Sequence, residues 1–321
     1  MSPIGRRRLI QALAAVASPL PSRAWAVTGA QPVAISYQRS SAVMLALQTN
    51  PDLATRFNAA MAHIGLVPHW YQFTHFQDAM ISDSIQIQGD SADAVPIFAQ
   101  AANAPLTYLA QESPSPAAEA LIVHATDGID AIAGLRGKRV AVARGSGCHY
   151  LLVRVLRDAG LAPGDVHIAF LEPPQASAAF AQKSVDGWAI WDPFLAVTQA
   201  RMPVRVLCDG HGVTDYYRFY MIDNTFAAAH PQAAGVMYTT LREASDWLRA
   251  HPDDGARLLS PVWGNMPQEI VRTIIGRRSL RVEAITLAAL TAQQRIADEF
   301  TRLGLVAGRV DISRMPVWRA P

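Results

Sequence analysis

The chain has 321 residues, half of them hydrophobic, with 17% charged, two cysteines and a formal charge of +2. That length suits two domains with separate cores, and two cysteines are too few for a disulfide framework. Four arginines and no acid fall in the first 26 residues, so the remainder carries −2, which leaves no electrostatic footprint for nucleic acid.

The N-terminus reads as an export signal. Arg6, Arg7 and Arg8 precede the apolar run Leu9 to Ala17, and Ala24-Trp25-Ala26 supplies a small-residue cleavage site. Arg6 and Arg7 with Leu9 and Ile10 also fit a twin-arginine pattern loosely. The run is too short to span a bilayer, and no cysteine stands at the cleavage site for a lipid anchor. The mature chain is expected to begin near Val27 and to be soluble in an exported compartment. Cys148 and Cys208 are expected as free thiols.

Val33 to Tyr37 reads as the first strand, followed by the polar turn Gln38-Arg39-Ser40-Ser41 and a helix over Ala42 to Gln48. Ser40 or Ser41 is the expected N-cap. His69 to Phe76 and Ser84 to Gln88 read as strands. Asp93 and Pro96 lead into a helix over Ile97 to Ala102, where proline near the start costs no hydrogen bond. Leu106 to Ala110 is a strand, and Gln111 to Pro116 reads as a hinge or linker. Ala120 to Val123 is a strand, and a short helix lies within Gly128 to Gly137.

Val140 to Ala143, small and apolar, fits a strand buried on both faces. Gly145, Ser146 and Gly147 form a turn in which both glycines permit positive φ, and Cys148, His149 and Tyr150 open a helix. Unpaired amides at such a helix start, with its dipole, suit an anion. Other motif readings fail. A dinucleotide turn wants a small residue where Tyr150 stands, a phosphate loop wants Gly-Lys-Ser/Thr, and a hydrolase elbow wants glycine in place of Arg144. Cys148 and His149 are adjacent and lack a second pair at metal-ligand spacing. No metal or cofactor is expected.

Val166 to Leu171 is a strand, and Ala176 to Gln182 a helix after the loop Glu172 to Gln175. Val185 to Phe194 is a strand ending in the aromatic-acidic turn Trp191-Asp192-Pro193. Trp188 and Trp191 are expected on one face, with Trp188 in the core. Val204 to Leu207 is a strand, Asp209 to Asp215 a glycine loop, and Tyr216 to Ile222 crosses back. From Thr225 onward the chain is mostly helical, with apolar spacing over Ala284 to Leu305. Alternating strands and helices with glycine turns predict a parallel α/β fold, whose ligands bind beyond the carboxyl ends of strands. Gln38, Asp93, Gly145 and Trp191 all follow a predicted strand.

Gly134 to Val142, Gly145-Ser146 and His149 to Arg154 together resemble the aliphatic sulfonate-binding proteins, periplasmic substrate-binding components of ABC importers. Val185 to Ala196 looks like their second signature. Tyr37-Gln38, Pro96 to Gln100, Ile296 to Asp298 and Leu303 to Leu305 are more generic matches in the same order. The resemblance implies an α/β two-lobed periplasmic-binding-protein fold (type II, Venus flytrap), each lobe a mixed, mainly parallel sheet flanked by helices. Residues 27–113 and 218–321 would form one lobe and 114–217 the other.

The resemblance also implies a periplasmic monomer that carries a small organic anion to an importer permease, with no catalysis. Gln38, Ser40, Ser41, Asp93, Gly145, Ser146, Gly147, Cys148, His149, Trp191 and Asp192 would meet the ligand. Thr74 to Asp78 and Ala92-Asp93 depart from the family's glycine-containing turns, which leaves alkanesulfonate, taurine, nitrate and thiamine-precursor-like ligands as alternatives. An exported enzyme on the same fold is the rival class, as is a sensor ectodomain. Asp192 would repel a sulfonate and is therefore expected to pair with arginine, cap backbone amides, or meet a ligand amine.

Overall fold

The computed structural model describes residues 29–72 and 85–319. The signal read over residues 1–26, the departure at 74–78 and the first residue of the strand read over 84–88 lie outside them. Strand β1 (Gln31–Tyr37) runs into helix α1 (Ala42–Thr49) and helix α2 (Pro51–His63). Asn50 ends the first helix and caps the second, its side chain accepting from the amides of Asp52 and Leu53. Strand β2 (Leu66–Gln72) starts earlier than the sequence pattern predicts, because Leu66 is buried against the core.

Strand β3 (Ile87–Ala92) leads into helix α3 (Val95–Ala101), and strand β4 (Leu106–Glu112) follows. With β10 (Arg218–Asp223) and β11 (Val282–Glu283) these make a six-stranded sheet in the order β11-β4-β10-β3-β1-β2. Its β2, β1 and β3 are mutually parallel, whereas β10 is antiparallel to both β3 and β4. The sheet is mixed, as expected: β2, β1, β3 and β4 run in one direction, and β10 and β11 run against them. The antiparallel pairings arise on the strands by which the chain enters or leaves a sheet.

Period-two alternation decides which side chains go where. On β10, Tyr220 and Ile222 join a core with α1, α2, α8 (Pro231–Ala250), α9 (Pro252–Val262) and α10 (Gln268–Arg277). Phe219 and Met221 face the other way, toward Ala289 and Ala292 of α11 (Leu287–Arg302). The short helix α7 (Asn224–Ala229) joins β10 to α8, with Asp223 accepting from the Phe226 amide at its start.

The chain then builds a second sheet. Strands β5 (Glu119–His124), β6 (Arg139–Val142), β7 (His167–Phe170), β8 (Gly187–Trp191) and β9 (Val204–Asp209) lie in the order β7-β6-β8-β5-β9. One face is covered by α4 (Gly147–Asp158), whose Cys148, Leu151, Leu152, Val155 and Leu156 pack on Leu121 and Val123. The other is covered by α5 (Pro173–Ala181) and α6 (Phe194–Arg201), through Phe180, Ala176 and Leu195. Helix α5 begins at Pro173, earlier than expected, since proline fits a first helical turn.

Two expectations are corrected here. Gln111 and Glu112 are buried strand residues and not linker: Gln111 bonds Glu283 and Thr286, and Glu112 accepts from Arg278 and Tyr220. Trp188 lies in the core beside Phe180, but Trp191 sits three residues on, so it cannot share Trp188's face, and it borders both cores at the strand end. Between the sheets the chain crosses after β4 and again before β10. Cys148 and Cys208 are free thiols.

Candidate functional site

The turn from β1 to α1 is held by its own atoms. Ser41 stands at the N-cap but does not cap the helix; its Oγ accepts from the Gln38 amide at 3.2 Å. The first-turn amides of Ala42, Val43 and Met44 thus have no hydrogen-bond partner among the described residues. Helix α1 also presses on β3. A β-carbon on Gly89 would fall inside the Met44 side chain, so any larger residue at that strand position requires Met44 to move.

The turn from β6 to α4 is organised differently. Gly145 takes φ +71°, a backbone region that favours glycine. Ser146 is a true N-cap, its Oγ accepting from the His149 amide at 3.1 Å. The His149 ring is buried and its Nδ1 accepts from the Gly145 amide at 3.2 Å. Burial, with Arg144 nearby, lowers its pKa to about 4. The Gly145 amide is taken by the His149 ring and the His149 amide by Ser146, so neither is left over, and the free donors of this turn among the described residues are Gly147 and Cys148. Gly147 is needed for space and not for φ: a β-carbon there would meet Asp93 Oδ1 at 2.8 Å and the Tyr216 ring at 3.3 Å. The Cys148 thiol points inward and donates to Glu119 at 3.3 Å.

Arg218, 1% exposed, joins the two turns. Its guanidinium pairs with Asp90 and donates to Gln38 Oε1 at 3.4 Å, Ser40 Oγ at 3.5 Å and the Tyr216 hydroxyl at 3.3 Å. Tyr216 in turn lies against Gly147. Asp90 and Tyr216 take φ +61° and +49°, strained values for residues with side chains that cluster at functional sites. Arg278 pairs with Glu112 at 2.6 Å and reaches Asp90 at 3.5 Å, so two buried cations meet two buried anions. Sequence reading missed Arg218 and Tyr216. The available signal was an arginine opening the otherwise apolar run Phe219 to Ile222, which sets a charge at the end of a buried strand.

Two carboxyls lie beyond that balance. Asp93 is buried behind Gly147, and burial, with Asp215 nearby, raises its pKa to about 7 against the pull of the Ala94 amide and Arg218. Glu119 accepts from Thr214 and Cys148, and burial followed by repulsion from Asp93 raises it to about 8. Asp192 belongs to another contact. Its carboxylate accepts from the Ala196 amide at 3.0 Å and from Arg277 at 3.2 and 3.4 Å, meeting both the arginine and the capping expectation. Trp191 stands edge-on to Phe194. The structure therefore brings Gln38, Ser40, Ser41, Asp93, Gly145, Ser146, Gly147, Cys148 and His149 to one seam, while Trp191 and Asp192 are engaged by α6 and α10. Among the described residues no cluster of His, Cys, Asp or Glu is placed to hold a metal ion. No described helix is long and apolar enough to cross a membrane.

Comparison with known proteins agrees with this architecture. Residues 87–255 match the family model described as NMT1/THI5 like. An Escherichia coli (strain K12) protein named an aliphatic sulfonates-binding protein is 32% identical over 289 residues, 89% of this chain and 88% of that one. The crystal structure of the periplasmic aliphatic sulphonate binding protein SsuA from Escherichia coli superposes with a TM-score of 0.81 at 31% identity, covering 89% of this chain and 97% of that one. The alkanesulfonate-binding protein SsuA from Xanthomonas axonopodis pv. citri, bound to MOPS, gives a TM-score of 0.81 at 30% identity, covering 90% and 98%.

Proposed function

The chain belongs to the aliphatic sulfonate-binding proteins of the NMT1/THI5-like family, and on that premise we propose that it captures an aliphatic sulfonate in the periplasm and delivers it to an ABC importer. The observation that carries this reading is the contact chain Ser40–Arg218–Tyr216–Gly147, which brings two helix starts with unused amides to one seam. Helix starts of this kind hold anions without a full counter-charge. That suits a sulfonate here, because the buried guanidinium groups of Arg218 and Arg278 already have carboxylate partners.

In this reading the sulfonate oxygens accept from the amides of Gly147 and Cys148 on one side. On the other they accept from the α1 first turn, with Gln38 and Ser40 framing the head group. Residues 27–113 with 218–321 form one lobe and 114–217 the other, and the lobes shut over the organic tail. A micromolar ligand needs about 8 kcal/mol. One helix terminus gives about 0.3–2 kcal/mol, so both termini and the buried tail are required. The signal at residues 1–26 is cleaved on export, and the mature protein acts as a single copy without turnover.

The test is calorimetric titration of the mature chain with butanesulfonate, taurine, sulfate and nitrate, with mass-spectrometric analysis of each ligand afterwards. Saturable binding of a sulfonate, recovered intact, is expected. Binding of nitrate or sulfate alone would overturn the ligand class, and release of sulfite would favour an enzyme.

A further inference from the structure

Asp93 follows β3, faces the α4 N-terminus and is 3% exposed. Its Oδ1 has no hydrogen-bond partner among the described residues, and it is the atom a Gly147 β-carbon would meet at 2.8 Å. An orphaned buried carboxyl oxygen is therefore aimed at the turn whose Gly147 and Cys148 amides are unused. The ionisable neighbours come from every packed element. Cys148 and Tyr150 lie on α4, and Glu119 on β5. Asp215, Tyr216 and Arg218 lie on β10 and its lead-in. Helix α11 presents the neutral Gln293, whose Nε2 donates to the Asp93 carbonyl at 2.6 Å. Arg218 is the one cation in this set, and it is paired with Asp90.

Resting on the sulfonate reading above, we infer that Asp93 is a specificity-determining residue that meets the bound head group as a neutral carboxylic acid, its O–H donating to a sulfonate oxygen. One pair of amides among buried groups cannot neutralise two anions. When a sulfonate takes the Gly147 and Cys148 amides, the Asp93 carboxylate takes a proton from solvent, and no covalent bond to the ligand changes. The protein thus captures one proton with each sulfonate above the free pKa of about 7, and below it the proton is already present. Doubly charged head groups such as a phosphonate dianion are disfavoured, because the two helix starts offer partial positive charge and the buried cation beside them, Arg218, is already paired with Asp90.

The experiment is titration of the mature protein with butanesulfonate between pH 6 and 8.5, in buffers of differing ionisation heat. Expected are flat affinity below about pH 7, a fall approaching tenfold per pH unit above it, and proton uptake rising toward one per ligand. In Asp93→Asn, which donates but cannot ionise, the slope and the uptake disappear. Methylphosphonate binds measurably only where it is a monoanion. Tight butanesulfonate binding with no proton uptake in the wild type at pH 8 overturns the inference even if Asp93→Asn fails to fold, and leaves the sulfonate reading intact. Taurine binding that tightens above pH 7 also overturns it, since Asp93 would then be an ionised partner for an amine. Absence of any sulfonate binding across the range removes both readings.

Discussion

The Asp192 carboxylate and the Arg277 guanidinium meet at 3.2 Å in a separate contact between the two lobes, one following β8 and the other ending α10. Arg277 also donates to Gln199 of α6 at 2.6 Å, so a single side chain fastens two points of the opposite lobe. Arg157 of α4 pairs with Glu299 of α11 at 2.9 Å, a second ion pair between helices of the two sheets.

Arg277→Ala strands the buried Asp192 with the Ala196 amide alone. The expected cost is about 1–3 kcal/mol, from leaving a buried acceptor short of a donor, together with a population of opened molecules. Chemical denaturation and small-angle scattering of the variant check this. An unchanged radius of gyration and midpoint would show that the bridge is idle.

Gly147→Val forces a side chain between α4 and Asp93. Sulfonate affinity should fall at least tenfold, about 1.4 kcal/mol, while each lobe keeps its own core and far-ultraviolet dichroism is retained. Calorimetry at one pH is sufficient, and wild-type affinity in the variant would remove this turn from the site.

Glu119 and Asp93 make stability depend on pH in a defined direction. Both are raised in the folded chain, to about 8 and about 7, so folding favours their protonated forms. The stability this gives relative to alkaline solution is intact below about pH 4 and is lost as pH rises through 7 to 8. Urea midpoints should therefore decline from pH 6 to 9, and the decline should be shallower in Glu119→Gln.

His149 has the opposite sign for its class. Its pKa is lowered to about 4, so its contribution is complete above pH 6.5 and disappears as pH falls from 6.5 through 4. Its imidazole resonances should not titrate between pH 8 and 5. A midpoint near 6.5 would mean the ring is exposed and does not hold the Gly145 amide.

Gly89→Ala sets a methyl group inside the Met44 side chain. Overpacking of this kind costs about 1–3 kcal/mol, and Met44→Ala in the same chain should restore part of it. Thermal melts of the single and double variants measure the coupling.

Much of the site was legible because backbone chemistry carries it. Gly145 and Gly147 between an apolar strand and an apolar-periodic helix announce a turn with free amides, and the Ser40–Ser41 turn repeats the pattern. Asp192 was legible for an electrostatic reason, since a carboxylate near an anion must be neutralised elsewhere. Arg218 was not, because its partner Asp90 lies 128 positions away and only strand pairing brings them together. The difference between Gly145 and Gly147 was also hidden, since a glycine kept for dihedral freedom and one kept for room look alike until a neighbour is placed. Gln111 and Glu112 looked like linker because polar residues beside proline signal exposure, whereas here they terminate a strand under Arg278 and Glu283.

Arg218 fixes Gln38, Ser40, Asp90 and Tyr216 in a single wall by contacts drawn wholly from the chain itself. The entropic cost of ordering that wall is met when the protein folds and is not charged again when a guest docks. On the proposed function, residence time would then depend on how fast the halves part, and a permease that pried them apart would discharge the cargo while the wall kept its shape.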